Sequence, residues 1–386
     1  MPQMHTAVLS NDGRSDLDTL LHAAVERHDI PGVVAEVANR EHTLYRGAFG
    51  KLDERGAVEM PADAIFRIAS MTKPVTSVAV MMLKDQGVVD LDDVIGRYLP
   101  ELKGIEVIAE FDESDGSYAT RPAACEITLR HLLTHTAGFG YAFSNHTISK
   151  LSDRLPDNPP LLHDPGSRWT YGPSTRVLGR VIEQVTSESL DVFFESRIFQ
   201  PLGMGDTGFD LKPEDRSRLA PQFRRINGQL VGEPNPESYE PRVFGDGGLL
   251  ATANDYIRFL QMLLGLGQFG GRRLLEEQSV TEMTNNQIGN LVVEKQPGAI
   301  PDLSNPFPLG AGEDNFGLGF QLKVGAESGA RSPGSYGWSG LHNTHFWADP
   351  KQGIAAVLFM QVLPFYDDRC IKLLTDFEES IYRNLE

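Results

Sequence analysis

Ser70-Met71-Thr72-Lys73 sets a hydroxyl and an amine three residues apart. On a helix, residues at that spacing share a face, so the lysine would lie beside the serine. A serine hydroxyl is a weak nucleophile, and a desolvated lysine is a base able to activate it. Spacing alone proves little. With 23 serines and 10 lysines in 386 residues, about 0.6 such pairs arise by chance, and the chain holds one. The context says more. Val75, Val78, Ala79, Met82 and Leu83 follow at helical spacing, and Gly87 closes the run. This pattern predicts a buried helix with Ser70 at its N-terminus, and Pro74 is compatible with a first turn. That end of a helix offers free N–H groups and a positive dipole to a developing oxyanion. The alternative is an N-cap serine beside a solvated lysine.

Other chemistries find less support. His131 and His135 are four apart in HLLTH, but the zinc-protease pattern needs Glu after the first histidine and the chain has Leu132. Nothing frames His146 as a third ligand, so no metal is expected. The two histidines read as structural residues of a helix-to-loop corner at Thr136-Ala137-Gly138. Ser15, Ser174 and Ser339 have Gly two positions earlier, but none has Gly two positions later, so the G-x-S-x-G elbow is absent. No G-x-x-x-x-G-K-[ST] phosphate loop occurs, and no cofactor is expected.

The elements that would position Ser70 come from both ends of the chain. Asp18 to Arg27 carries an apolar helical stripe ended by Pro31-Gly32. Val33 to Ala38 and His42 to Phe49 read as an antiparallel hairpin. Strand patterns return at Gly317 to Val324, Thr344 to Ala348 and Ile354 to Gln361, the last two joined by a tight turn at Asp349 to Gly353. Asp367 to Asn384 closes the chain as an amphipathic helix. Between the ends, Ser70 to Gln287 is helical pattern with Pro/Gly-rich loops. Asp153 to Pro165 and Gln287 to Asp314 read as loops of the kind that border sites. The expected fold class is α+β: one antiparallel sheet from both termini, flanked by helices, with a mostly helical insertion.

Composition narrows the partners. Hydrophobic residues make up 40% of the chain, enough for a large core, and the net charge is −18. So acidic a surface repels phosphate backbones and anionic lipid, so neither nucleic acid nor membrane is an expected partner. Two distant cysteines, Cys125 and Cys370, give no disulfide framework. No basic, apolar leader and no long apolar run is present, which leaves a cytoplasmic globular protein as the expectation.

Ser70 to Lys73 resembles the S-x-x-K of serine β-lactamases and penicillin-binding proteins. IFRIASMTKPVTSVAVMMLKDQGVVDLDDVIGRYLPEL, ITLRHLLTHTAGF, PGSRWTYGPSTRVLGRVIEQVT, IFQPLGMGDTGF, GDGGLLATANDYIRFLQMLL, and YGWSG followed by THFWADP are similar to the class C branch, in order along nearly the whole chain. The family's second motif is Tyr-x-Asn. The matching block here reads Tyr171-Gly172-Pro173, without the Asn, while a literal match at Tyr382-Arg383-Asn384 falls in the C-terminal helix. The third motif, K-T-G, is replaced by Trp338-Ser339-Gly340, similar to the W-G-G of family VIII carboxylesterases.

The resemblance implies a class C-like division into 1–69 with 288–386 as a sheet domain and 70–287 as an inserted helical domain, with the active site between them. It implies that Ser70 attacks an ester carbonyl, that Lys73 and Tyr171 share the base role, and that the amides of Ser70 and Leu341 form the oxyanion hole. Each base would need a pKa below its free value of about 10. Losing the K-T-G lysine removes a carboxylate partner, which typically costs about 2–5 kcal/mol in a desolvated site. A Trp face favours apolar groups instead. The expected substrate is therefore a small neutral, short-chain ester, with Arg331, His342 and His345 as residues able to restore positive charge. A β-lactamase or D-amino-acid peptidase, an acyltransferase and a non-catalytic scaffold remain as alternatives.

Overall fold

A computed structural model describes residues 7–53, 56–152, 159–327 and 329–386, so part of the expected loop 153–165 lies outside the described residues. Helix α1 (Asn11–Glu26) begins well before the sequence stripe, because the Ser10 hydroxyl accepts from the Gly13 amide and caps it there. The hairpin follows as β1 (Gly32–Asn39) and β2 (Thr43–Gly50). Helix α2 (Thr72–Asp85) is entered through a short 3₁₀ turn, Ala69–Met71, that carries Ser70. Helix α3 (Ser174–Thr186) starts after Pro173, and α4 (Ala253–Leu264) is capped by Thr252.

The C-terminal part supplies β3 (Asn315–Phe316), β4 (Gln321–Leu322), β5 (Tyr336–Gly340), β6 (Thr344–Asp349) and β7 (Ile354–Phe359). Of the expected strand 317–324 only Gln321–Leu322 is extended in the sheet; Asn315–Phe316 pairs just before it, and between the two Gly319 takes φ +101°, which breaks the run. The turn after β6 is tied by Asp349, whose Oδ1 accepts from the Lys351 and Gln352 amides. Helix α5 (Asp368–Arg383) ends the chain, capped by Asp367.

The strands form one antiparallel sheet in the order β3-β4-β5-β6-β7-β1-β2. The two ends of the chain meet at β1 and β7, where Val34 pairs with Phe359 and Asn39 with Ile354. Both faces are buried, so these strands read as continuous apolar runs. Ile354, Ala356 and Leu358 face α1 and α5 in one hydrophobic cluster. Ala355, Val357 and Phe359 face the other way, into a cluster shared with α2, α3 and α4. Helix α4 falls within the span expected as the insertion, yet it packs on β1 and β7, and the larger cluster runs without a break through both spans. The insertion also holds more strand than expected: Glu106–Phe111 with Tyr118–Pro122, Gln222–Ile226 with Gln229–Glu233, and Gln268–Phe269 with Arg272–Arg273 pair as hairpins.

Candidate active site

The turn that carries Ser70 is held from two sides. Ala69 takes φ +45°, a left-handed backbone that costs a non-glycine residue roughly 1–2 kcal/mol. From one side β5 presses against it: a Cβ on Gly340 would lie 2.2 Å from the Ile68 carbonyl oxygen, so only glycine fits. From the other side the Tyr256 hydroxyl donates to the Met71 carbonyl at 2.9 Å, and the Leu249 amide donates to Thr72 Oγ1 at 3.3 Å.

Lys73, 1% exposed, donates from Nζ to Ser70 Oγ at 3.0 Å and to the Asp246 backbone carbonyl at 2.9 Å. Its Nζ lies 4.8 Å from the centre of the Tyr171 ring and 5.2 Å from that of Tyr141, so two aromatic faces complete its surroundings. Sequence reasoning missed Asp246 and Tyr141. The buried Asp246 carboxylate accepts from the Tyr141 hydroxyl at 2.5 Å and from Arg176 Nε at 3.0 Å, which fixes the backbone carbonyl that holds Lys73. Burial, reinforced by Asp246, pushes the Tyr141 hydroxyl well above its ordinary pKa, so Tyr141 stays a donor. Asp246 lies in GDGGLL, one of the blocks that carry the resemblance, but an interaction through a main-chain oxygen leaves no residue-type signature.

Tyr171, 2% exposed, sits just before α3, ringed by Trp169, Phe307 and Trp338. Trp338 Nε1 donates to its hydroxyl at 3.4 Å. Among the described residues no hydrogen bond joins that hydroxyl to Ser70 or Lys73. Trp338 thus points from β5 toward Tyr171, while the neighbouring Ser339 points to the opposite face and bonds His345 Nδ1 at 2.7 Å. Ser70, Tyr171, Trp338, Ser339 and Leu341 nevertheless line one cavity of about 10 Å³, walled by Phe143, Phe307 and Phe365.

The residues expected to restore charge do not do so beside Trp338. Burial pulls His342 and His345 down to about 3, so both are neutral at physiological pH. Arg331 lies beside Glu378 on the α5 side of the sheet. His131 caps the short helix Leu129–Leu133, its Nδ1 accepting from the Thr128 amide. His135 is enclosed by Trp169, Tyr171 and Phe316, and burial, then the Lys73 ammonium, holds it well below its ordinary pKa. No group of three His, Cys, Asp or Glu among the described residues is placed to hold a metal ion. No helix among them is long and apolar enough to cross a membrane. Tyr382, the literal Tyr-x-Asn, bonds Asp349 on the α5 face, away from Ser70.

An antiparallel sheet backed by terminal helices, with an S-x-x-K helix under its edge, defines the serine hydrolases and acyltransferases of β-lactamase fold. The chain belongs to the Beta-lactamase family, whose pattern matches residues 17–378. It is 34% identical over 363 residues to an uncharacterised protein of Mycobacterium tuberculosis, covering 87% of this chain and 86% of that one. It is 29% identical to an ML-236A carboxylate methylbutanoyltransferase of Penicillium citrinum, covering 96% and 95% of the two chains. It is 28% identical to a lovastatin esterase of Penicillium rubens, covering 95% and 98%. Among solved structures, a LovD6 mutant of simvastatin synthase from Aspergillus terreus superposes with a TM-score of 0.82 at 29% identity, covering 97% of this chain and 95% of that one.

Proposed function

We propose that the protein is a serine carboxylesterase that cleaves short-chain carboxylic esters through an acyl-enzyme on Ser70. The observation that carries this reading is the 3.0 Å contact between the Nζ of buried Lys73 and the Oγ of partly exposed Ser70. Lys73 serves as the base that takes the Ser70 proton as Oγ attacks the ester carbonyl. The carbonyl oxygen develops its charge toward the amides of Ser70 and Leu341, which the contact of β5 with the 68–70 turn supports as neighbours. Tyr171, held by Trp338, stands over the Lys73 amine, so the alcohol leaves as a proton passes to it from the Lys73–Tyr171 pair. Water then repeats the sequence on the acyl-enzyme. Trp338 in place of a cation favours an apolar group beside the scissile carbonyl, and aromatic walls around a cavity of about 10 Å³ favour a short one there.

The first test compares rates on p-nitrophenyl acetate to octanoate with rates on nitrocefin, with Ser70→Ala as control. Fast cleavage of the short esters and little of nitrocefin is expected. The reverse ratio would give the β-lactamase reading the lead, and silence on both with the fold intact would leave a dedicated transferase or a scaffold.

A second reading is acyl transfer to an alcohol, favoured by the same aromatic walls and by the methylbutanoyltransferase similarity. Adding an alcohol acceptor to the ester assay separates the two. Transfer appears as new ester at undiminished p-nitrophenol release, hydrolysis as free acid alone.

A further inference from the structure

Behind Ser339, on the α5 side of the sheet, lies a second cavity of about 50 Å³. It shares Trp338 and Ser339 with the Ser70 cavity, so the two meet around the free edge of β5. That edge is free because β4 pairs only with Tyr336 and Gly337 and leaves Trp338 to Gly340 uncovered on that side. The polar groups around the cavity are Asp314, Lys323, Arg331, Ser339, His345 and Tyr366.

His345 is 2% exposed, and its Nε2 has no hydrogen-bond partner among the described residues. A buried polar atom left unpaired costs about 1–3 kcal/mol, so its presence beside a cavity needs an explanation. Of the two neutral tautomers, the one in which the Ser339 hydroxyl donates to Nδ1 carries its proton on Nε2 and makes it a donor, and an acceptor in the cavity would select that one. The charges around it are unequal. The Asp314 carboxylate is already engaged, accepting from Gln321 Nε2 at 2.7 Å and from the Val324 amide at 3.1 Å. Arg331 Nε lies 2.9 Å from Glu378 Oε2, and Lys323 Nζ lies 3.6 Å from the mostly exposed Glu327. Neither glutamate lines the cavity, and both cations do.

We propose that this cavity is a subsite for a carboxylate that the substrate carries some bonds away from its scissile ester, held by Arg331, Lys323 and the free ring nitrogen of His345. The proposal rests on the ester-processing reading of the Ser70 cavity, because the two cavities share Phe307, Trp338, Ser339 and Phe365 as walls. It differs from the K-T-G mode: the charge is read on the far side of β5, past Ser339, and the inner face keeps its aromatic wall. The small volume fits a planar carboxylate and leaves no room for a bulkier anion such as a phosphate monoester with its alkyl group.

The test uses matched esters. For a carboxylate on the acyl side, p-nitrophenyl hydrogen glutarate is compared with p-nitrophenyl pentanoate. For one on the alcohol side, 6-acetoxyhexanoate is compared with 6-acetoxyhexanamide. In at least one pair, kcat/KM is expected to favour the carboxylate by about tenfold or more. Lys323→Gln, Arg331→Gln and His345→Gln should each pull that ratio toward one. Ratios of one in both pairs, or a preference that survives Lys323→Gln and His345→Gln, overturn the proposal. If the neutral esters are not turned over in a Ser70-dependent way, the esterase reading fails by itself. Calorimetry then decides the subsite: 6-hydroxyhexanoate binding no tighter than 1,6-hexanediol overturns it, and tighter binding lost in Lys323→Gln supports it.

Discussion

Lys73 has given up nearly all contact with solvent and keeps four neighbours in exchange: the Ser70 hydroxyl, one backbone carbonyl and two aromatic faces. Ser70→Ala should therefore abolish ester cleavage while leaving the thermal melt unchanged, because the lysine keeps its other contacts; substantial turnover by the purified variant would sink the assignment. Tyr141→Phe frees the Asp246 carboxylate from one of its two partners and loosens the carbonyl that holds Lys73. A fall of about tenfold in kcat with little change in KM is the expected result for a residue that acts only by positioning. Trp338→Lys restores the cation missing from this family position and should raise the nitrocefin-to-acetate rate ratio. No change in that ratio would mean that Trp338 does not occupy the K-T-G lysine's place. At this scale the sequence was legible where chemistry and spacing coincide. Ser70 and Lys73 share a helix face, so their meeting could be read off. Asp246 could not, because it acts through its main chain across 173 residues of sequence.

The turn and strand that meet at Ser70 depend on one missing side chain. Gly340→Ala would drive a methyl group into the Ile68 carbonyl oxygen and Thr344 Oγ1, and either β5 or the turn that carries Ser70 must move. A stability loss of about 1–3 kcal/mol and a larger loss of activity are expected from melts and ester assays. At the start of α4, Asp255 Oδ2 accepts from the Asp206 amide at 2.8 Å and from the Thr207 hydroxyl at 3.0 Å, and burial raises its pKa from 3.8 to about 6. The neutral form is thus favoured in the fold. Its stabilising contribution is complete below about pH 4 and is lost as pH rises through about 6. Melts at pH 4 to 7 should show the wild type losing ground to Asp255→Asn over that window; parallel curves would rule the linkage out. The elements themselves were readable wherever periodicity was strong, as in α2, β1, β2, β6, β7 and α5. The hairpins of the insertion were not. Glu106–Phe111 and Gln222–Ile226 are mostly half-exposed, so their patterns carry little apolar alternation. The early start of α1 hung on a single capping serine in a polar stretch.

The sheet that supports the site is assembled from the two ends of the chain, which the sequence showed through its terminal strand patterns. What it could not show was how α4 from the middle closes one face, since an amphipathic stripe names a buried side and no partner. Ending the chain at Asp367 would strip α5 from the face holding Ile354, Ala356, Leu358 and Trp347. The expected product is aggregated, inactive protein; a soluble, active truncation would show that α1 alone suffices to cover that face.

The pairing of Val34 with Phe359 also sets a clock on synthesis. Ser70 leaves the ribosome early, but β5, which packs against its turn, and β7, which locks β1 in place, are made last. The nascent chain must carry its first hairpin unpaired on one edge until nearly all of the polypeptide has emerged, a long wait for contacts so distant in sequence. On the proposed reading, activity is withheld until translation is almost complete, and a fragment that stops before β5 carries Ser70 without the strand that packs against its turn.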